Sequence, residues 1–82
     1  MNSKLIIAIG RLTKDPVMDC NKRAKLELVN TNGECIQFTR CVAIGKPAEL
    51  VMRDLKKGDF ICINGEWREQ ILEAFYIFKE LI

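Results

Sequence analysis

The stretch QFTRCVAIGKPAELVMRDLKKGD, Gln37 to Asp59, decides the fold. It predicts a strand, a turn, a short helix and a turn into a further strand. The strand, Cys35 to Gly45, is rich in β-branched, aromatic and Cys residues and holds no Pro, a composition suited to extended backbone. Pro47 suits the first helical position, where its missing N–H costs nothing and its φ is preset. Ala48, Val51, Met52 and Leu55 recur at i, i+3, i+4 and i+7 and form one apolar stripe. Arg53, Lys56 and Lys57 gather where the helix dipole favours cations. Gly58 is expected at C′, and Asp59 begins the exit. A single helix in a strand-rich chain has to cover something, and closing one end of a small barrel would do it.

Working outward, Lys4 to Gly10 (KLIIAIG) predicts a first strand. Its lack of clean alternation suggests burial on both faces, or one face in a core and the other in a subunit contact. Asp15-Pro16 marks a turn, because the residue before proline is pushed to extended geometry. Val17 to Arg23 is expected as a connecting loop or frayed edge. Ala24 to Asn30 alternates: Ala24, Leu26 and Leu28 point one way, Lys25 and Glu27 the other. Asn32-Gly33 then predicts a two-residue type I′ hairpin turn leading into Cys35. Phe60 to Arg68 (FICINGEWR) is the fourth strand, with Ile61, Ile63, Gly65 and Trp67 on one face. Gly65 in mid-strand predicts a bulge or sharp bend. After a short polar break at Glu69-Gln70, Leu72 to Lys79 is the fifth strand. The helix propensity of Lys79, Glu80 and Leu81 leaves the tail's structure open.

Eighty-two residues make one domain, 1–82. A chain this short buries only about 60–65% of its unfolded surface, so a partner subunit would help. The composition, 49% hydrophobic and 29% charged, is that of a globular protein. A net charge of +2 does not by itself argue for nucleic acid. The cations are unevenly placed, however: Lys4, Arg11, Lys14, Lys22, Arg23 and Lys25 face only Asp15 and Asp19 before Glu27. Cys20, Cys35, Cys41 and Cys62 match no zinc spacing and no His is present, so structural thiols in a cytoplasmic protein are expected and no metal or cofactor is implied. No basic-plus-apolar signal segment opens the chain, and no apolar run reaches the ~20 residues of a membrane span. Enzymatic chemistry finds no support either. There is no His, no Walker-type glycine loop and no paired-carboxylate spacing.

Five strands with the only helix between the third and fourth is the order of the OB-fold, a small Greek-key barrel. From the residues alone an SH3-like barrel or open sandwich fits the strands nearly as well, but neither explains the helix position.

The chain also resembles the bacterial single-stranded DNA-binding proteins, including their primosomal relatives. The resemblance lies in Asn2 with Lys4 to Gly10, Arg11-Leu12, Asp15-Pro16, Phe38-Thr-Arg-Cys-Val-Ala-Ile-Gly-Lys46, Ala48-Glu49, Leu55-Lys-Lys-Gly58 and Ile63-Asn-Gly65, in family order over residues 2 to 68. It implies an OB-fold, non-enzymatic and sequence-tolerant binding of single-stranded DNA (RNA is not excluded), and a homodimer or homotetramer formed partly through the first strand. It also implies a place in replication, repair or mobile-element maintenance, near the nucleoid, with replication proteins among the partners. Two departures mark a minimal form. The long DNA-gripping loop between strands two and three is replaced by a tight turn, and the loop between strands four and five is equally short. The family's acidic-tipped tail has no counterpart in these residues. An alternative is therefore a protein-interaction module or primosome-type accessory subunit with little or no DNA binding.

Sequence-tolerant binding needs cations along the phosphate path and flat rings for bases to stack on. The resemblance puts Phe38 at a stacking position and Ile44 where another aromatic is common. Arg40 shares the strand face of Phe38, and Arg68 leaves strand four. Arg11 and Lys14 lie at the exit of strand one, and Lys46 lies just beyond strand three. Read without the resemblance, Ile36, Phe38, Val42 and Ile44 form the more apolar side of their strand and would be assigned to the core. By parity with Ile61 and Ile63, Trp67 is expected in the core.

Overall fold

A computed structural model describes residues 5–80. Asn2, Lys4 and Leu81, which carry part of the reading above, lie outside the described residues. The strands are β1 (Ile6–Leu12), β2 (Val17–Met18), β3 (Arg23–Asn32), β4 (Cys35–Ile44), β5 (Phe60–Arg68) and β6 (Ile71–Lys79), with helix α1 (Lys46–Asp54) between β4 and β5. The sheet runs β1-β5-β6-β4-β3-β2, and β1 pairs again with β3. That second pairing closes five strands into a barrel. The β4–β6 neighbours are parallel; the other pairs are antiparallel. Apart from the two-residue β2, which extends the edge of β3, this is the five-stranded OB order expected, with the helix between the third and fourth barrel strands.

Barrel closure needs small side chains where strands and helix converge. Ala24, Ala43 and Ala74 are register partners across β3, β4 and β6, and all three are buried. Helix α1 packs against these same strands and buries Ala48 and Val51. Leu55, its C-cap, completes the plug. Met52 is half exposed, so the predicted stripe is narrower than its spacing implied. The helix ends four residues before Gly58, which lies in the turn beyond rather than at C′. That turn is tied back to β1: the Leu12 N–H donates to the Asp59 carbonyl, the Gly58 N–H to the Leu12 carbonyl, and the Lys57 N–H to the Asp15 carboxylate at 2.8 Å. The Asp15-Pro16 turn thus anchors the post-helix turn.

Leu12, Leu26, Leu28, Ile61, Ile63 and Leu72 fill the rest of the core. The alternation predicted for Ala24 to Asn30 holds. One local expectation is corrected. The β3–β4 hairpin pairs Asn32 with Cys35, so its loop is Gly33-Glu34, one residue later than predicted. Gly33, at the first central position, has φ +64°, which is the glycine-first pattern of a type II′ turn. Val17–Met18, expected as connecting loop or frayed edge, is a two-residue strand on the edge of β3. The bulge at Gly65 is present as a register shift between Asn64 and Gly65. A Cβ at Gly65 would collide with the Glu73 carbonyl, so only glycine permits the close approach of β6. Among the described residues no helix is long and apolar enough to cross a membrane.

Candidate nucleic-acid interface

The inward side of β4 is the small one. Cys41 and Ala43 are buried, whereas Ile36, Phe38 and Ile44 are exposed, Phe38 by 64%. The assignment of the apolar side to the core, made without the resemblance, is therefore reversed. A tight barrel takes the small face inside, and the bulky face is left to solvent.

Register then fixes the outer surface as a lattice of cross-strand rows, with neighbours within a row about 4.8 Å apart. One row reads Phe60, Arg11, Val29, Phe38 across β5, β1, β3 and β4. Along β4, the next outward position holds Arg40, directly opposite Glu27 of β3. The following row holds Val17, Lys25, Val42 and Glu73, and the last pairs Arg23 with Ile44. Phe38 and Arg40 thus stand about 7 Å apart on one face.

A cavity of about 500 Å³ opens over the paired strands β3 and β4, between Val17 of β2 and Ile71 of β6, with Lys14, Arg23, Lys25 and Arg40 around it. Among the described residues Lys14, Lys25 and Arg40 enter no ion pair; Arg23 is held by Asp19 at 3.0 Å. Burial pushes the Cys41 thiol, which also lines this cavity, up to about 12, so it stays protonated and neutral beneath the cations. Arg40 also borders a second hollow beside Glu69 and Gln70, so it stands between two recesses.

The predicted residues do not all converge. Lys14 and Arg40 line the cavity, and Phe38 and Ile44 flank it on β4. Arg11 lies in the Phe38 row, two strands away, where it sits 5.3 Å over the Phe60 ring and donates to the Gly58 carbonyl. Lys46 is elsewhere, at an apolar groove between α1 and β6 with Leu50 and Tyr76. Arg68 is paired with Glu73. Trp67, expected in the core, is 48% exposed. It keeps the parity of Ile61 and Ile63 but stands next to the end of β5. Lys25, Val17 and Glu27 were missed. The outward direction of Lys25 and Glu27 was already given by the alternation of β3, whereas Val17 lies on β2; the missing piece was the register that sets them beside Arg40.

The opposite side differs in character. Leu5, Ile7 and Ile9 point outward from the β1 segment, Ile7 by 66%, and Tyr76 and Phe78 do so from β6. Cys62 joins the two groups, as register partner of both Ile9 and Phe78. All four thiols are free; Cys41 is buried, Cys62 half-buried, and Cys20 and Cys35 exposed, so the expectation of structural thiols fits Cys41 best.

The fold is shared closely with solved single-stranded DNA-binding proteins. The small single-stranded DNA-binding protein of Streptomyces coelicolor is 21% identical, with TM-score 0.78 over 99% of this chain and 96% of that one. The mitochondrial protein Rim1 of S. cerevisiae is 11% identical, with TM-score 0.84 over 96% and 95%. The second such protein of Mycobacterium smegmatis is 16% identical, with TM-score 0.81 over 96% and 90%. No protein-family model matches the sequence, and the search of curated proteins gives no significant match. This chain therefore has the OB-fold in the form that these single-stranded DNA-binding proteins take, over nearly its whole length.

Proposed function

We propose that the protein binds single-stranded DNA, largely without regard to sequence and without chemistry. The observation that carries this is the outer face of β4 and β3: an exposed ring, Phe38, two residues along the strand from Arg40, beside a groove with three cations that enter no ion pair among the described residues. Bases stack on the ring because every base has a π-face, and the cations replace the counterions of the phosphates. Phe38, Arg40 and Lys14 form the centre of this site. Ile44 extends it at one end and Arg11 continues the Phe38 row across the barrel. Lys46 and Arg68 contribute only through the field they add, because each is committed to another part of the surface. Single strands arise in replication, repair and mobile-element maintenance, and these are the settings that such binding serves in the cytoplasm near the nucleoid. The test is titration of the protein with a labelled mixed-sequence oligonucleotide, single-stranded and duplex, at low and moderate salt. Single-strand binding that weakens with salt supports the proposal; none at low salt refutes it.

The same reading makes the protein a homo-oligomer. Leu5, Ile7, Ile9, Tyr76 and Phe78 are exposed on the β1 segment and β6, away from the β3–β4 surface, and clustered exposed apolar side chains mark interaction sites. A dimer or tetramer would bury them and leave the DNA face open. Replication proteins remain the partners expected next to DNA.

A further inference from the structure

We propose that the cavity over β3 and β4 is a base-reading subsite, in which Glu27 and Arg40 favour bases carrying an exocyclic amino group over thymine and uracil. This rests on the single-strand reading above and adds a local preference to otherwise sequence-tolerant binding. The unexplained group is Glu27. It lies half-buried on the wall of a groove whose other charged residues, Lys14, Arg23, Lys25 and Arg40, are all cations. A groove made only for phosphates would gain nothing from a carboxylate, which repels them. Only one oxygen of Glu27 is spent on a neighbour. Thr13 Oγ1 donates to its Oε1 at 2.8 Å, and Oε2 has no partner among the described residues. Arg40 stands directly opposite in the register, yet no ion pair joins the two. An acceptor and a fork of donors are thus left side by side and open to the groove.

That pair matches the edge of an amino-bearing base. Cytosine presents its N4 amino group as donor to Glu27 and its N3 and O2 as acceptors to the Arg40 guanidinium. Adenine offers a donor beside an acceptor as well, and guanine offers two donors beside one. Thymine and uracil have one N–H set between two carbonyl oxygens, so an oxygen is turned on the carboxylate in any pose that uses the N–H. Val17, Val42 and Ile71 supply apolar walls for the base faces. The volume, about 500 Å³, lies within the range of ~300–1,000 Å³ for small-ligand sites.

The experiment measures binding of equal-length oligo-dC, oligo-dT and oligo-dU by fluorescence anisotropy at mildly alkaline pH and low salt. It uses the full chain and its Glu27→Ala and Glu27→Gln variants, with folding checked by circular dichroism. The wild type is expected to bind oligo-dC about tenfold more tightly than oligo-dT. Oligo-dU is expected to follow oligo-dT, since the methyl group plays no part. In both variants the dC-to-dT ratio falls to within about twofold, chiefly because oligo-dT binds better once the negative charge is gone. Equal binding of dC and dT by the wild type, oligo-dU behaving like oligo-dC, or a dC preference that survives in Glu27→Ala overturns the inference. Binding to none of the three oligomers overturns the single-strand reading instead.

Discussion

Phe38 is the residue on which the functional reading turns. Its ring is exposed and fills no part of the core, so Phe38→Ala should leave the melting temperature within a degree or two while removing one base stack. The expected loss is about 1–3 kcal/mol of affinity for single-stranded DNA, read by anisotropy. Arg40→Ala should act differently. It removes a phosphate or base-edge contact, and the slope of log K against log salt should become shallower by about 0.7 if the contact is to phosphate. The position of Phe38 on this face was legible only through the resemblance. Hydrophobicity alone sent Ile36, Phe38, Val42 and Ile44 inward, because a period-2 pattern says which residues share a side but not which side is packed. What decides is volume: Ala24, Ala43 and Ala74 meet in one row beneath α1, and no larger side chain fits there. The misplacement of Trp67 has a related cause, since parity carries no information about where a barrel wall stops.

At the scale of elements, the strands and the helix were readable in nearly their observed extents, because their periodicities and punctuating residues agree. The hairpin loop slipped by one residue because Asn-Gly and Gly-Glu are both good two-residue turns, and the choice is made by pairing further along β3 and β4. The β5 bulge was readable because Gly65 has no other reason to sit in mid-strand. Gly65→Ala should be severely destabilising, since the new Cβ meets the Glu73 backbone rather than a side chain that can move. Thermal melts would show this as loss of several degrees or failure to fold. The turns carry a pH dependence. Asp59 is held below the ordinary carboxylate range first by the Lys56 N–H and also by Lys79, and Asp19 first by the Arg23 N–H and also by the Asn21 N–H. A depressed folded pKa gives stability that is present above the unfolded value of about 4 and lost as pH falls through the folded value. Melting temperature should therefore hold steady from neutral pH to about 5 and fall below about 4, and Asp59→Asn should flatten that fall.

For the molecule as a whole, a barrel of 82 residues presents two unlike surfaces. One carries the Phe38 ring and, across β3 and β4, cations that enter no ion pair among the described residues; the other carries Leu5, Ile7, Ile9, Tyr76 and Phe78. Composition gave no hint of this division, because a net charge of +2 averages over both. If the apolar face joins protomers, Ile7→Glu should shift the protein to a smaller species by sedimentation, with each protomer keeping its DNA face. Affinity per protomer for a short oligonucleotide should change by less than about threefold, whereas binding to long strands, where linked sites reinforce one another, should weaken more. The short Gly33-Glu34 and Glu69-Gln70 turns leave little beyond the barrel wall to enclose a strand, so the footprint should be short, the phosphate contacts few and the salt slope correspondingly shallow.

The most direct measurement of the central claim is the affinity of wild type and Phe38→Ala for one labelled single-stranded oligonucleotide and its duplex, across a salt series. The account predicts single-strand binding at low salt that is stronger than duplex binding, weakens as salt rises, and drops by about 5- to 150-fold in the variant at unchanged thermal stability. Wild-type protein that ignores the single strand at low salt, or a folded Phe38→Ala protein that binds it as well as wild type does, would contradict it.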